Sequence, residues 1–471
     1  MKVDALVAEI GSTTTVVNIF DRIETENPIF LGQGQAPTSI GEGDVNIGLK
    51  AAIDDINKKL GIKAIEYRYM LATSSAAGGL KMTVHGLVYD MTVKAAKEAV
   101  LGAGANIHMV TSGKLTERDM VRLKKIGPNI IMLAGGVDYG ERETALYNSE
   151  LIASSLLDIP VIYAGNNAIV EEIKSIFETY EKGKNLYIVP NVYPRIDLLN
   201  VEPTREVIQN IFEKYITEAK GMEKIRELVN GSIIPTPRAV MRASQMLRES
   251  IGDLVTIDVG GATTDIHSVT DGTERIKNIL IDPEPMAKRT VEGDMGVFIN
   301  RKNIIETIKI DRLAKEFDIS VSEIEDMGKS EIVIPTTERY IKFIERLTKE
   351  AIIVSINRHA GDYRTYFGGK SKTLAFGKDL TGVKWIVGTG GPLTRLPARV
   401  EILKEIGKSN REDKLLPTQE AQILIDNDYI MASLGVLSIN FKEASLKLLL
   451  KSLNIEEVYR EGICSKYYTQ G

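Results

Sequence analysis

The chain opens with short apolar runs broken by turn residues: Ala5–Glu9, Thr15–Phe20 and Phe30–Gln35, the last after Asn27-Pro28. Runs of this length rich in β-branched residues predict three antiparallel strands of a meander. The rhythm then changes to strand and helix in alternation. Tyr67–Ala72, Ile107–Val110, Ile130–Ala134, Val161–Ala164 and Leu186–Val189 read as buried strands. Gly43–Lys59, Thr92–Leu101, Thr116–Lys125, Glu141–Ser155 and Ala168–Tyr180 carry helical spacing between them. Residues 194–250 read as mostly helical, entered through Pro203-Thr204 and Pro235-Thr236-Pro237.

The opening pattern then returns. Leu254–Val259, Asp265–Val269 and Ile276–Ile281 predict a second meander, followed by helices over 296–360 and a strand at Lys384–Val387. A last helix is expected to start near Asp426-Asn427-Asp428, with small residues at Ala432, Ser433 and Gly435. The Lys/Leu-rich tail beyond it fits a packed terminal helix better than a membrane element.

The two openings echo each other. Glu9-Ile10-Gly11-Ser12-Thr13-Thr14 is answered by Asp258-Val259-Gly260-Gly261-Ala262-Thr263, each at the end of a first strand. Such a repeat predicts two lobes of related topology. The expected fold class is α/β, with a duplicated β-meander plus helices in two lobes and a cleft between them. Residues 1–250 would form the N-terminal lobe, with an inserted α/β region at about 100–195 and a helical segment at 196–250. Residues 251–425 would form the C-terminal lobe, and 426–471 a closing helix and tail on the N-terminal lobe.

An acid-x-Gly-small-Thr hairpin has definite chemistry. Glycine lets backbone N–H groups approach a phosphate oxygen with no Cβ in the way. Threonine hydroxyls add donors. The acid would repel phosphate unless it holds the water shell of a Mg²⁺ that the phosphates share. One such hairpin is an ordinary turn; two, each opening a meander, are harder to explain as turns. Trp385-Ile386-Val387-Gly388-Thr389-Gly390-Gly391-Pro392 adds a buried strand running into a glycine turn, suited to close approach by a base or ribose.

Composition narrows the classes. With 471 residues, 43% hydrophobic and 26% charged, the chain suits two or three globular domains. A formal charge of −5 gives no reason to expect nucleic acid, so a phosphate site must be built locally from N–H groups or a metal. The single cysteine, Cys464, excludes an internal disulfide, a thiolate zinc site and an iron–sulfur cluster. No window has the apolar length of a membrane span, and the first residues already show strand pattern. A cytoplasmic protein is expected.

Together these residues resemble the actin–Hsp70–sugar kinase ATPase superfamily and, within it, the MutL/GlmL family. That family is encoded beside adenosylcobalamin-dependent glutamate (methylaspartate) mutase and is unrelated to the mismatch-repair MutL. The resemblance covers nearly the whole chain. It includes Thr73–Leu80, Leu133–Asp138, Asn191–Arg195, Pro235–Val240, Arg289–Asp294, Arg358–Gly361 and Gly388–Pro392 besides the two hairpins. It implies an ATP-binding accessory protein, a chaperone that reactivates a mutase, with ATP and Mg²⁺ as cofactors and the mutase subunits as partners. A slow Mg-dependent ATPase is implied, and self-association stays open. Gly11, Ser12, Thr13 and Thr14 would line one phosphate wall and Gly260, Gly261, Ala262 and Thr263 the other. Gly388, Thr389, Gly390 and Gly391 would meet the adenosine, and Asp258 would hold hydrated Mg²⁺ with Glu9. Glu9 stands where the superfamily usually has Asp. A small-molecule kinase on the same fold, with Asp138 as its base, and a helper of an aminomutase are the alternatives.

Three further signals have plainer readings. Asp265-Ile266-His267-Ser268-Val269-Thr270 nearly spells a cobalamin-binding Asp-x-His-x-x-Gly, but lacks the glycine and belongs to a strand. Gly368-Gly369-Lys370-Ser371 lacks the earlier glycine of a P-loop. Arg358-His359 sits where basic residues serve a helix end, whereas Arg289, Glu292 and Asp294 are candidates to face nucleotide or partner.

Overall fold

The computed structural model describes residues 1–75, 80–218, 221–366, 372–408 and 413–455. Cys464, Gly368–Ser371 and part of the Thr73–Leu80 motif therefore lie outside the described residues.

Strands β1 (Lys2–Ile10), β2 (Thr14–Asp21) and β3 (Ile29–Pro37) form the predicted meander, and β4 (Glu66–Ser74) pairs parallel to β1. The chain then leaves this sheet for β5 (Lys81–Gly86), β6 (Asn106–Ser112), β7 (Ile130–Leu133), β8 (Val161–Tyr163) and β9 (Leu186–Ile188). These make a separate, all-parallel sheet in the order β6-β5-β7-β8-β9. Sequence pattern missed its interior strand β5. The chain returns with β10 (Ile233–Pro235), which completes the first sheet as β10-β4-β1-β2-β3.

The second half repeats that plan. Strands β11 (Leu254–Val259), β12 (Thr264–Val269) and β13 (Ala287–Glu292) form an antiparallel meander. A small hairpin, β14 (Asp362–Tyr366) and β15 (Lys372–Phe376), intervenes. Strands β16 (Trp385–Thr389) and β17 (Gln422–Ile425) then add in parallel, giving β13-β12-β11-β16-β17. Both sheets thus hold a meander whose first strand also pairs with a later parallel strand. This duplicated, two-lobed α/β topology is the one the hairpin echo predicts.

One predicted strand is wrong. Ile276–Ile281 is not the third strand of the second meander. Its start is a short helix, Glu274–Lys277, capped by the Thr273 side chain, which accepts from Ile276 N–H. Ile276, Ile279 and Leu280 fall at helical spacing and pack in a small cluster with Ala375 and Leu415. Pro283 and Pro285 separate this turn from β13, the true third strand.

The closing helix starts later than expected, at Met431, and runs to Leu437. It packs on the helix Thr236–Ile251 and against β1 and β4 of the first sheet. Its small residues have a direct cause. A Cβ on Gly435 would lie 1.9 Å from the Ala239 carbonyl oxygen, so the two helices approach closer than any larger residue allows. No helix among the described residues is long and apolar enough to cross a membrane.

Candidate functional site

The two hairpins turn in the same way. Gly11 N–H donates to the Thr14 carbonyl at 3.0 Å, and Gly260 N–H donates to the Thr263 carbonyl at 2.9 Å. In each, the acid sits two residues before the glycine, at the end of the strand: Glu9 on β1 and Asp258 on β11. Each turn is braced by its carbonyl side. Thr38 donates to the carbonyls of Gly11 and Thr13, and Ser75 N–H to that of Ile10. In the second hairpin, Val297 N–H binds the Gly260 carbonyl, Phe298 and Ile299 N–H bind that of Gly261, and Asn300 Nδ2 binds that of Ala262. Peptide N–H and C=O point opposite ways, so the N–H groups of Gly261, Ala262 and Thr263 are directed away from that bracing loop.

The turns meet across a cleft. The position a Cβ would take on Gly261 is 3.5 Å from Thr13 Oγ1. A cavity of about 440 Å³ opens between them, and Gly11–Thr14 and Gly260–Thr263 both line it. Glu9 and Asp258 line it too, from opposite sheets.

The two hairpin acids are held at this cleft in a buried setting. Burial pushes the Glu9 carboxyl up to about 7; the Tyr429 hydroxyl, donating to Oε1 at 2.8 Å, pulls the other way, and Asp426 adds to the rise. Burial raises Asp258 well above the usual carboxylate range, helped by Asp265 and by Glu9 itself. The effect of Glu9 on Asp258 places the two hairpin acids within electrostatic reach across the lobes. Asp265, opposite Asp258 in the β11–β12 register, is neutralised by Arg289, whose Nη2 lies 2.5 Å from Oδ1. Glu9 Oε2 is buried with no hydrogen-bond partner. Clustered carboxylates with an unused oxygen fit a hydrated dication shared with phosphate. A closed cage they are not: no group of three or more His, Cys, Asp or Glu among the described residues is disposed to hold an ion alone.

The third predicted element is only partly at the cleft. Gly390 and Gly391 line the cavity. Gly390 has φ +87°, and a Cβ there would meet the Val259 carbonyl oxygen at 2.3 Å and Asp258 Oδ1 at 2.6 Å, so glycine is required beside the acid. Gly388 and Thr389 do not line the cavity. The space beside Gly388 is filled by the side chains of Leu403 and Ile425, and Thr389 donates to Asp426 Oδ2 at 3.0 Å. Both serve the β16 packing.

Other candidates fall as follows. Arg289 reaches the cavity, but Glu292 and Asp294 are occupied in clasping Arg358 at 2.7 and 2.8 Å. His359 is buried between Ser268 and Thr290, at 2.8 and 2.9 Å, a structural setting. His267 is a buried strand residue of β12. Asp138 follows β7 in the separate parallel sheet, held by Asn167 and Asn191, and does not line the cleft cavity.

Sequence reasoning missed one wall of the cavity altogether. Phe298, Val333, Ile334, Ile344 and Leu396 give it an apolar side. The Arg301 guanidinium lies 4.7 Å over the Phe298 ring and donates to the carbonyls of Met327 and Ser330 at 3.1 and 3.0 Å, which anchors the segment carrying Val333 and Ile334. The one local signal was the Ile332-Val333-Ile334-Pro335 run, an apolar stretch between two helices.

A family model described as MutL protein matches residues 5–453. Protein MutL of Clostridium tetanomorphum is 35% identical over 461 residues, covering 95% of this chain and 98% of that protein. Among solved structures, the diol dehydratase-reactivating factor in its nucleotide-free form is similar with a TM-score of 0.38 and 10% identity, covering 93% of this chain and 99% of that one. Component A of the (R)-2-hydroxyglutaryl-CoA dehydratase of Acidaminococcus fermentans is similar with a TM-score of 0.35 and 10% identity, over 94% and 99%. Matched from its first strand to its last described helix, the chain belongs to the MutL protein family.

Proposed function

We propose that this chain is an ATP-binding reactivating chaperone of an adenosylcobalamin-dependent mutase, glutamate (methylaspartate) mutase being the partner, and that it works in the cytoplasm. The observation that carries the nucleotide reading is the convergence of the two Gly/Thr turns on one cavity. Membership of the MutL family, with the mutase association that the resemblance implies, carries the partner.

In this reading the polyphosphate lies between residues 11–14 and 260–263, taking N–H and hydroxyl donors from both. Gly390 and Gly391 adjoin the ribose, and the apolar wall of Phe298 and Ile334 suits a planar base. Asp258 and Glu9 hold the water shell of Mg²⁺. The metal, when bound, supplies the positive charge that lets three acids and a triphosphate share the cleft. Because one ligand would touch both lobes, binding favours the closed arrangement and product release the open one. That exchange would change affinity for the mutase, releasing spent cofactor.

The test is recovery of activity. Mutase inactivated by turnover is incubated with this protein, free adenosylcobalamin, Mg²⁺ and ATP. The reading expects activity to return with ATP and not without it. Absence of ATP-dependent recovery would refute the chaperone role.

A further inference from the structure

We propose that Tyr429 is a positioning residue for Glu9, holding that carboxylate by one oxygen so that the other is presented to a water in the cleft. The inference rests on the ATP-hydrolysing form of the reading above.

Tyr429 follows β17, the outermost strand of the second sheet, yet its hydroxyl donates to Glu9 Oε1 at the end of β1 in the first sheet, at 2.8 Å. That bond occupies one carboxylate oxygen. The other, Oε2, is buried and has no partner, although the residue lines the cavity. A buried carboxylate oxygen without a donor is destabilising unless a ligand completes it. A water beside the polyphosphate is the donor this cleft can supply.

The tyrosine is fixed from several sides. Its backbone is left-handed, φ 54°, a conformation a bulky aromatic residue rarely adopts. The surroundings hold it there. Tyr429 N–H donates to the Asp426 carbonyl at 3.1 Å, and Gln33 Nε2 on β3 donates to the Tyr429 carbonyl at 3.3 Å. The Asp426 carboxylate accepts from Ile430 N–H, Met431 N–H, Thr389 Oγ1 and Ser452 Oγ, which locks the whole turn. Arg395, itself lining the cavity, lies 5.9 Å over the Tyr429 ring and donates to Gln35 Oε1 at 2.8 Å. Strain maintained by this many contacts, ending on a single bond to Glu9, is the arrangement of a side chain that aims another.

Steady-state ATP hydrolysis by the full-length chain and by Tyr429→Phe, Glu9→Gln and the double variant tests this. Tyr429→Phe is expected to lower kcat roughly ten- to a hundredfold, the loss of a hydrogen bond to a charged group, and to leave KM for ATP within about twofold. The double variant is expected to be no slower than Glu9→Gln alone, because the tyrosine acts only through Glu9. Should Tyr429→Phe fold poorly, Glu9→Asp breaks the same contact from the other side and is expected to show the same loss confined to kcat. An unchanged kcat, a loss confined to KM, or losses that multiply in the double variant would overturn the inference alone. No ATP turnover by the unaltered chain would overturn both the inference and the hydrolytic reading on which it rests.

Discussion

Gly261 faces Thr13 so closely that a methyl group on the glycine would sit 3.5 Å from the threonine hydroxyl, although the two belong to different sheets. The contact makes a simple prediction. Gly261→Leu would place a branched side chain where the polyphosphate is expected and wedge the turns apart. ATP affinity should fall at least about tenfold, a loss of about 1.4 kcal/mol or more. The melting temperature should fall as well, since the added Cβ would also lie 3.3 Å from Phe298 Cβ. Titration calorimetry with Mg-ATP, beside a thermal melt, checks both.

Asp258 is predicted to link nucleotide affinity to the metal. In Asp258→Asn the fold should persist, because the side chain keeps its shape and loses a charge that burial and two neighbouring acids already disfavour. The unaltered protein should bind ATP far more tightly with Mg²⁺ than with a chelator. In the variant that difference should vanish. Normal Mg-dependent binding by Asp258→Asn would remove the residue from the metal's shell.

Arg289 is predicted to be a structural keystone as well as a cleft residue. It pairs with Asp265 and donates to the carbonyls of Leu101 and Ala105, tying the second meander to the segment that leads into β6. Arg289→Met would leave Asp265 buried without its counter-charge. A cost of about 3–5 kcal/mol is expected for breaking such a pair, measured by urea unfolding. Adding Asp265→Leu should recover much of that loss.

Both hairpins, the first meander and the first two strands of the second were legible in the sequence because each is local: a Gly/Thr turn and its flanking strands occupy one short continuous stretch, Lys2–Asp21 or Leu254–Val269. Tyr429 was not legible. Its partner Glu9 is 420 positions away, and nothing near residue 429 marks it. The apolar cavity wall was hidden for the same reason, since Phe298, Val333 and Leu396 come from three separated segments. Gly388 failed differently. A glycine at a strand end has the same sequence signature whether a ligand or the side chains of Leu403 and Ile425 need the space. The strand predicted at Ile276–Ile281 failed because four apolar residues within six positions leave the period ambiguous, and the Thr273 cap decided for helix at its start.

The buried histidines should cost the fold stability as the pH falls below the ordinary histidine range, opposing the buried Glu9 and Asp258 carboxyls, whose raised values favour the native state on acidification. Burial lowers His85 from 6.5 to about 4 and His267 to about 3. Burial also holds His359 well below 6.5, with Lys378 and Lys288 adding to the effect. Between the unfolded value and these folded values the unfolded chain takes up protons that the native protein refuses. Each residue therefore contributes stability that is present above pH 6.5 and lost on acidification, at about 1.4 kcal/mol per pH unit. Urea unfolding at pH 7 and pH 5.5 reads the total. His85→Gln should reduce the difference by about 1 kcal/mol; an equal difference in both proteins would contradict the assignment.

The most direct measurement is a crystal structure of the protein with Mg²⁺ and a non-hydrolysable ATP analogue. The polyphosphate should lie between residues 11–14 and 260–263, with a hydrated metal against Asp258 and Glu9. A nucleotide seated elsewhere, or touching only one of the two turns, would contradict it.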